Sequence, residues 1–221
     1  MTEARRGVFI TFEGTEGSGK STQMKLLMER LRVEGYAVTA NQEPGATDIG
    51  RQIRRIFLAP ENDKMAPMTE LLLVFASRAQ AAAEIVEPAL RRGDIVLSDR
   101  FTDSTLAYQG EARGIGFDAV MAAHKLALGG LMPDMTICLE VDLEAGLARA
   151  HTRNAGSAED TAEARLDQQG LEFHKRVLAG YRRIAELEPE RFRMVDGSGG
   201  IESVADRIWQ HVMSVVERHA V

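Results

Sequence analysis

Apolar positions along the 221-residue chain switch repeatedly between two spacings, and the switching predicts an α/β fold. Residues 8–12, VFITF, form a short apolar run that reads as a buried strand. A glycine-rich turn follows, then a helix on which Met24, Leu27, Met28 and Leu31 fall at i, i+3, i+4 and i+7. Gly35 ends that helix. A second strand over 37–42 stops at Pro44-Gly45, and a helix over 48–58 comes next. A long helix over 69–92 closes on Gly93, and 95–98 is a β-branched strand. A polar segment leads to a helix over 117–128, a strand over 135–141 and a helix opened by Asp142, a good N-cap. Residues 154–165 are small and charged without a large apolar anchor, which predicts a mobile loop. A helix with Phe173, Val177, Tyr181 and Ile184 on one face, a strand over 192–195 and a helix carrying Val204, Ile208, Val212 and Val215 complete the chain. Strands separated by helices predict a five-stranded parallel sheet with helices on both faces, in a single domain spanning 1–221.

Composition narrows the partners. With 44% hydrophobic and 27% charged residues the chain is too apolar for a disordered protein. Its net charge of -6 argues against nucleic acid, whose affinity comes from clustered cations. A small anionic ligand needs only a local positive pocket. The opening MTEARRG lacks the apolar stretch of a secretory signal, and no run approaches the roughly 20 residues that span a bilayer. The expectation is a cytoplasmic protein without a membrane partner. The one cysteine, Cys138, sits in the run MTICLEV and reads as a small buried hydrophobe.

Residues 12–23, FEGTEGSGKSTQ, carry the chemistry. Gly14-Thr15-Glu16-Gly17-Ser18-Gly19-Lys20-Ser21 places two glycines with four residues between them, then Lys and Ser, between a strand and an amphipathic helix. That is the context of a phosphate-binding P-loop. The glycines let successive N–H groups turn inward, and the following helix start, including Thr22, adds its partial positive charge. Lys20 supplies a point charge for the outer phosphates of ATP, and the Ser21 hydroxyl is a ligand for Mg²⁺. The Asn-Lys-x-Asp run of a guanine site is missing. A kinase needs a second anion site facing the first. Asp99-Arg100 closes the third predicted strand, where ligands sit in open α/β sheets. Asp99 is placed for Mg²⁺, and Arg100 for an acceptor phosphate. Ser104, Thr105, Tyr108 and Gln109 follow, with side chains that hydrogen-bond a base or sugar.

The segment DRFTDSTLAYQG at 99–110 resembles the D-R-[FYH]-x-x-S-[ST]-x-A-Y-Q signature of the bacterial thymidylate kinase family, P-loop nucleoside monophosphate kinases. EPGAT at 43–47, IRRI at 53–56, ELLLVFASRAQ at 70–80, ARGIG at 112–116 and RLDQQGLEFHKRV at 165–177 extend the likeness over essentially the whole chain. The resemblance implies transfer of phosphate from MgATP to dTMP. It implies that Arg78 and Gln109 face thymine, that Arg54 and Arg100 hold the dTMP phosphate, and that Ser104 and Thr105 line the pocket. Tyr108 would favour deoxyribose, Phe75 would stack on the base, and Glu43 and Pro44 would shape the wall, Pro44 through a cis bond. Glu13 would stand near the sugar and reacting phosphates. A homodimer is also implied, with the long helix as half of the interface.

Three features depart from the family pattern or vary within it. The P-loop carries Glu16 and no arginine, so the charge on the transferring phosphoryl must be met from elsewhere. Arg149, Arg153 and Arg165 flank the loop, which reads as a lid over 149–165, with Arg153 and Arg165 as catalytic arginines. Gln42 and Ala46 replace an arginine and a glycine of the family's R-E-P-G-G-T run, and where many members have Phe four residues before Arg78 this chain has Val74 and then Phe75. Two other readings stay open at this point: another nucleoside monophosphate or deoxynucleoside kinase, and a nucleotide-binding protein without catalysis.

Overall fold

A computed structural model describes residues 6–155, 165–166 and 169–220. The order of elements is β1 (Phe9–Gly14), α1 (Lys20–Val33), β2 (Val38–Gln42), α2 (Asp48–Leu58), α3 (Pro67–Ala81), α4 (Glu87–Arg92) and β3 (Ile95–Asp99). Then come α5 (Thr102–Thr105), α6 (Phe117–Leu128), β4 (Met135–Glu140), α7 (Leu143–Ala155), α8 (Leu171–Leu187), β5 (Phe192–Asp196) and α9 (Ile201–Ala220). The strands form one parallel sheet in the order β2-β3-β1-β4-β5. Phe12 of β1 pairs with Asp99 of β3, so the glycine-rich turn and the Asp99-Arg100 pair leave the sheet side by side.

Strand alternation sorts the core into two layers. Ile10, Phe12, Leu97, Ile137 and Leu139 face α1 and α9, which present Leu27, Leu31, Val204, Ile208 and Val212. Phe9, Val96 and Cys138 face the other way, under α3, α4, α6 and α8, with Phe75, Val86, Val177 and Tyr181. This second face also carries polar residues. Thr11, Glu13, Asn41, Ser98 and Thr136 are all buried there, and they hold the site from below.

The predicted ends at Asp142, Gly35 and Gly93 are present, and Thr47 caps a further helix. Thr47 Oγ1 accepts from the Gly50 N–H at 3.0 Å, and Asp142 Oδ1 from the Ala145 N–H at 2.9 Å. Gly35 and Gly93 stop their helices with φ of 87° each.

Two segments differ from the sequence reading. The helix predicted over 69–92 widens into a π turn at Ala82–Val86, just ahead of Pro88. Proline lacks the N–H for a bond one turn back, and its ring crowds the carbonyl there, so a wider turn relieves both. The polar stretch after Arg100 is helical: α5 runs into a π turn over Leu106–Ala112. Its polar residues face inward to the sheet and α3, so the surface-like composition concealed a buried helix. The predicted lid falls largely on 156–164, outside the described residues.

Candidate phosphoryl-transfer site

The P-loop runs from the end of β1 to α1, with Gly14, Gly17 and Gly19 at positive φ. At Gly17 close approach decides the residue: a Cβ there would meet the Gly146 carbonyl oxygen at 1.9 Å, so the loop lies directly on α7. Lys20 Nζ donates to the Gly14 and Thr15 carbonyls at 3.1 and 3.0 Å. Burial, and then Arg100, pull its ammonium below the usual lysine range. Ser21 Oγ donates to Asp99 Oδ2 at 3.0 Å, joining the two predicted metal ligands. A hydroxyl and a carboxylate are hard oxygen donors and fit Mg²⁺, which takes few protein ligands and fills the rest with phosphate and water.

Arg100 has φ of 71°, a left-handed conformation that costs a non-glycine residue. The Ser98 hydroxyl donates to its carbonyl at 2.7 Å, and its own N–H donates to the Phe12 carbonyl at 2.9 Å. Held so, the guanidinium crosses to the P-loop. Nη1 donates to the Gly14 carbonyl at 3.3 Å and Ser104 Oγ at 2.9 Å, and Nη2 reaches Glu16 Oε1 at 2.6 Å. The Tyr108 hydroxyl also donates to Glu16 at 2.9 Å. Burial opposes ionisation of Glu16, but Arg100, Lys20 and that hydroxyl outweigh it and hold its carboxyl down to about 2. Glu16, Lys20, Ser21, Glu43, Arg54, Asp99 and Arg100 line one cleft of about 420 Å³. A second cleft of about 420 Å³ continues across Gly17, Gly19 and Thr22 to Arg149 and Gly197, on the side of β5.

The profile of the family described as Thymidylate kinase matches residues 12–208. The chain belongs to the thymidylate kinase family. A thymidylate kinase of Thermomicrobium roseum is 48% identical over 210 residues, 95% of this chain and 96% of that protein. One of Pelobacter propionicus is 47% identical over 207 residues, 94% of each, and one of Bacillus pumilus 44% identical over 215, 97% and 99%.

Against the thymidylate kinase pattern, the structure gathers most of the predicted side chains around α3 and the helix after Arg100. Arg78 is only 1% exposed. Its Nε donates to Glu43, Nη1 to Thr105 at 2.9 Å and Thr102 at 3.5 Å, and Nη2 to the Phe101 carbonyl at 2.9 Å. Phe75 lies under that guanidinium, 5.1 Å from its ring centre. Arg54 Nη1 donates to the Pro44 carbonyl at 2.9 Å, and the Glu43-Pro44 bond is cis, as the resemblance implied. Gln109 is buried against Glu70.

Two placements correct the sequence reading. Glu13 is fully buried: one oxygen accepts from the Phe101 N–H at 2.8 Å, the other from Ser104 Oγ and from the Tyr181 hydroxyl at 3.0 Å. It supports the side chains of the site from beneath and has no face on the cleft. Burial, then the nearby Asp103, push its carboxyl up to about 7 against the pull of Arg100. Arg165 is buried as well, with Nη2 2.9 Å from Glu70 and Nε donating to the Phe57 carbonyl at 2.6 Å. A cation held there is anchored to α2 and α3. Of the flanking arginines, Arg149 meets the P-loop, donating to the Gly17 carbonyl at 3.0 Å; the Arg153 side chain lies outside the described residues.

Sequence reasoning missed Tyr181, Asp103 and Glu70. Tyr181 read as one more apolar position of α8, although a buried tyrosine hydroxyl needs a partner and finds Glu13. Asp103, in the middle of the recognised signature, pairs with Arg191 at 2.7 Å and accepts from Thr136 at 2.7 Å, fixing α5 to β4.

Proposed function

We propose that the chain transfers the γ-phosphoryl group of ATP to the phosphate of dTMP, giving ADP and dTDP. The observation that carries the reading is the shared cleft: Arg100 and Arg54 line the same space as Lys20 and the P-loop. Two anions held there, one by main-chain N–H groups and Lys20 and one by guanidinium groups, meet without a covalent intermediate on the protein. An oxygen of the dTMP phosphate attacks the γ-phosphorus, the bond to the β-phosphate oxygen breaks, and ADP leaves with the electron pair. Ser21 and Asp99 would hold Mg²⁺, which neutralises triphosphate charge.

The chain's own residues position the partners. Arg100, oriented by its strained backbone and by Ser104, carries the acceptor phosphate. Thr105, Phe75 and Arg78 frame the base, with Gln109 at the other end of the slot. Among the described residues Arg78 makes four hydrogen bonds with its five N–H groups, which leaves a donor for a carbonyl of the base. Arg149, which donates to the Gly17 carbonyl, is placed to meet charge on the donor side. ATP and dTMP as substrates suit a cytoplasmic protein, and that is the location we propose. Coupled ADP release on Arg100→Ala tests the scheme: KM for dTMP should rise about tenfold or more while KM for ATP changes little. An unchanged KM for dTMP would remove Arg100 from acceptor binding.

The assembly we favour is a homodimer. Ile49 and Ile56 on α2, Met68 and Leu72 on α3 and Met121 on α6 are exposed large apolar side chains on neighbouring helices. Such a face suits a self-complementary interface.

A further inference from the structure

Glu70 lies on the buried face of α3, at i−4 from Val74 and i−8 from Arg78. On the facing helix, Thr105 and Gln109 are likewise one turn apart. The seam between the two is therefore crossed by polar contacts at both ends. Arg78 donates to Thr105 at one end, at 2.9 Å; at the other, Gln109 Nε2 donates to Glu70 Oε1 at 2.7 Å. Phe75 lies in the apolar stretch between.

The carboxylate is held in place. Arg113 donates to both of its oxygens at 3.2 Å, and Arg165 faces it at 2.9 Å. Arg165 is itself tied to α2, its main-chain N–H donating to the Leu58 carbonyl at 3.1 Å. Glu70 is 1% exposed, so no bulk water competes for it.

A carboxylate flanked by two guanidinium groups offers only acceptors. It can be met by the NH₂ end of the Gln109 amide and not by the carbonyl end, which would set oxygen against oxygen in a buried site. The carbonyl Oε1 of Gln109 is then the end turned away from Glu70. We infer that Glu70 is a positioning residue which fixes the orientation of the Gln109 amide and so selects a pyrimidine bearing hydrogen on N3. Thymine and uracil carry that hydrogen and can donate it to Oε1, whereas the N3 of cytosine is an acceptor and meets a second acceptor. The inference rests on the reading that a pyrimidine nucleotide occupies the slot beside Phe75 and Gln109.

The test compares kcat/KM for dTMP and for dCMP in the wild type, Glu70→Gln, Gln109→Leu and the double variant. A glutamine at 70 can meet either end of the Gln109 amide, so the dTMP-over-dCMP ratio should fall about tenfold or more in Glu70→Gln. Gln109→Leu should lower the ratio too, and the double variant should fall no further, because one residue acts through the other. Glu70→Asp retains the charge that Arg113 and Arg165 face but withdraws it from Gln109. It should show the same loss, and it serves if Glu70→Gln does not fold. An unchanged ratio in the folded variant, or losses that add in the double variant, would overturn the inference. A wild type that phosphorylates neither pyrimidine nucleotide would instead remove the functional reading beneath it, so the two failures are distinguishable.

Discussion

Glu13 shows how a single residue can be legible by position and misleading by role. Its place just before the P-loop was plain, yet its carboxyl is sealed beneath Phe101, Ser104 and Tyr181. That environment makes a pH prediction. The folded-state value, about 7, lies above the ordinary 4.5, so the native state binds more protons than the unfolded chain between those values. Stability conferred by protonated Glu13 is fully present below about pH 4.5 and is lost as pH rises to about 7. Relative to Glu13→Gln, the wild type should lose about 3 kcal/mol across that window, read from urea midpoints at each pH. A constant difference would contradict the buried-acid account. Lys20, Ser21 and Asp99 were readable because their chemistry is fixed by short spacing within a motif or at a strand end. Tyr181 and Glu70 were not, because their partners stand 168 and 39 residues away and spacing carries no record of such pairs.

At the scale of elements, the contact between the P-loop and α7 matters most. Gly17 and Gly146 lie backbone against backbone, which binds the phosphate loop to the helix carrying Arg149. Gly17→Ala should force them apart and also strain a φ of 67°. ATP affinity measured by calorimetry should fall about tenfold or more, with a smaller change in dTMP affinity. Equal ATP affinity would show that the loop tolerates the shift. Strands and most helices followed directly from apolar period, and the cap at Asp142 from residue type. The π turns were invisible, since one comes from Pro88 crowding the turn before it and the other lies in a helix whose inward face is polar. Periodicity of apolar residues detects only helices that bury apolar faces.

For the whole molecule, the sheet order places the ends of β1 and β3 together, and from that adjacency both anion sites follow. The exposed apolar face over α2, α3 and α6 makes a prediction about assembly: Leu72→Glu should convert a dimer to a monomer in light scattering. An unaltered mass would place any interface elsewhere. The central claim is that the cleft brings ATP together with a thymine nucleotide. The most direct measurement is ADP release with dTMP, dUMP, dCMP, UMP, AMP and thymidine offered in turn. The account predicts dTMP as the preferred acceptor, dUMP behind it and little turnover with the rest. Preference for AMP, UMP or thymidine, or ATP binding without ADP from any acceptor, would contradict it.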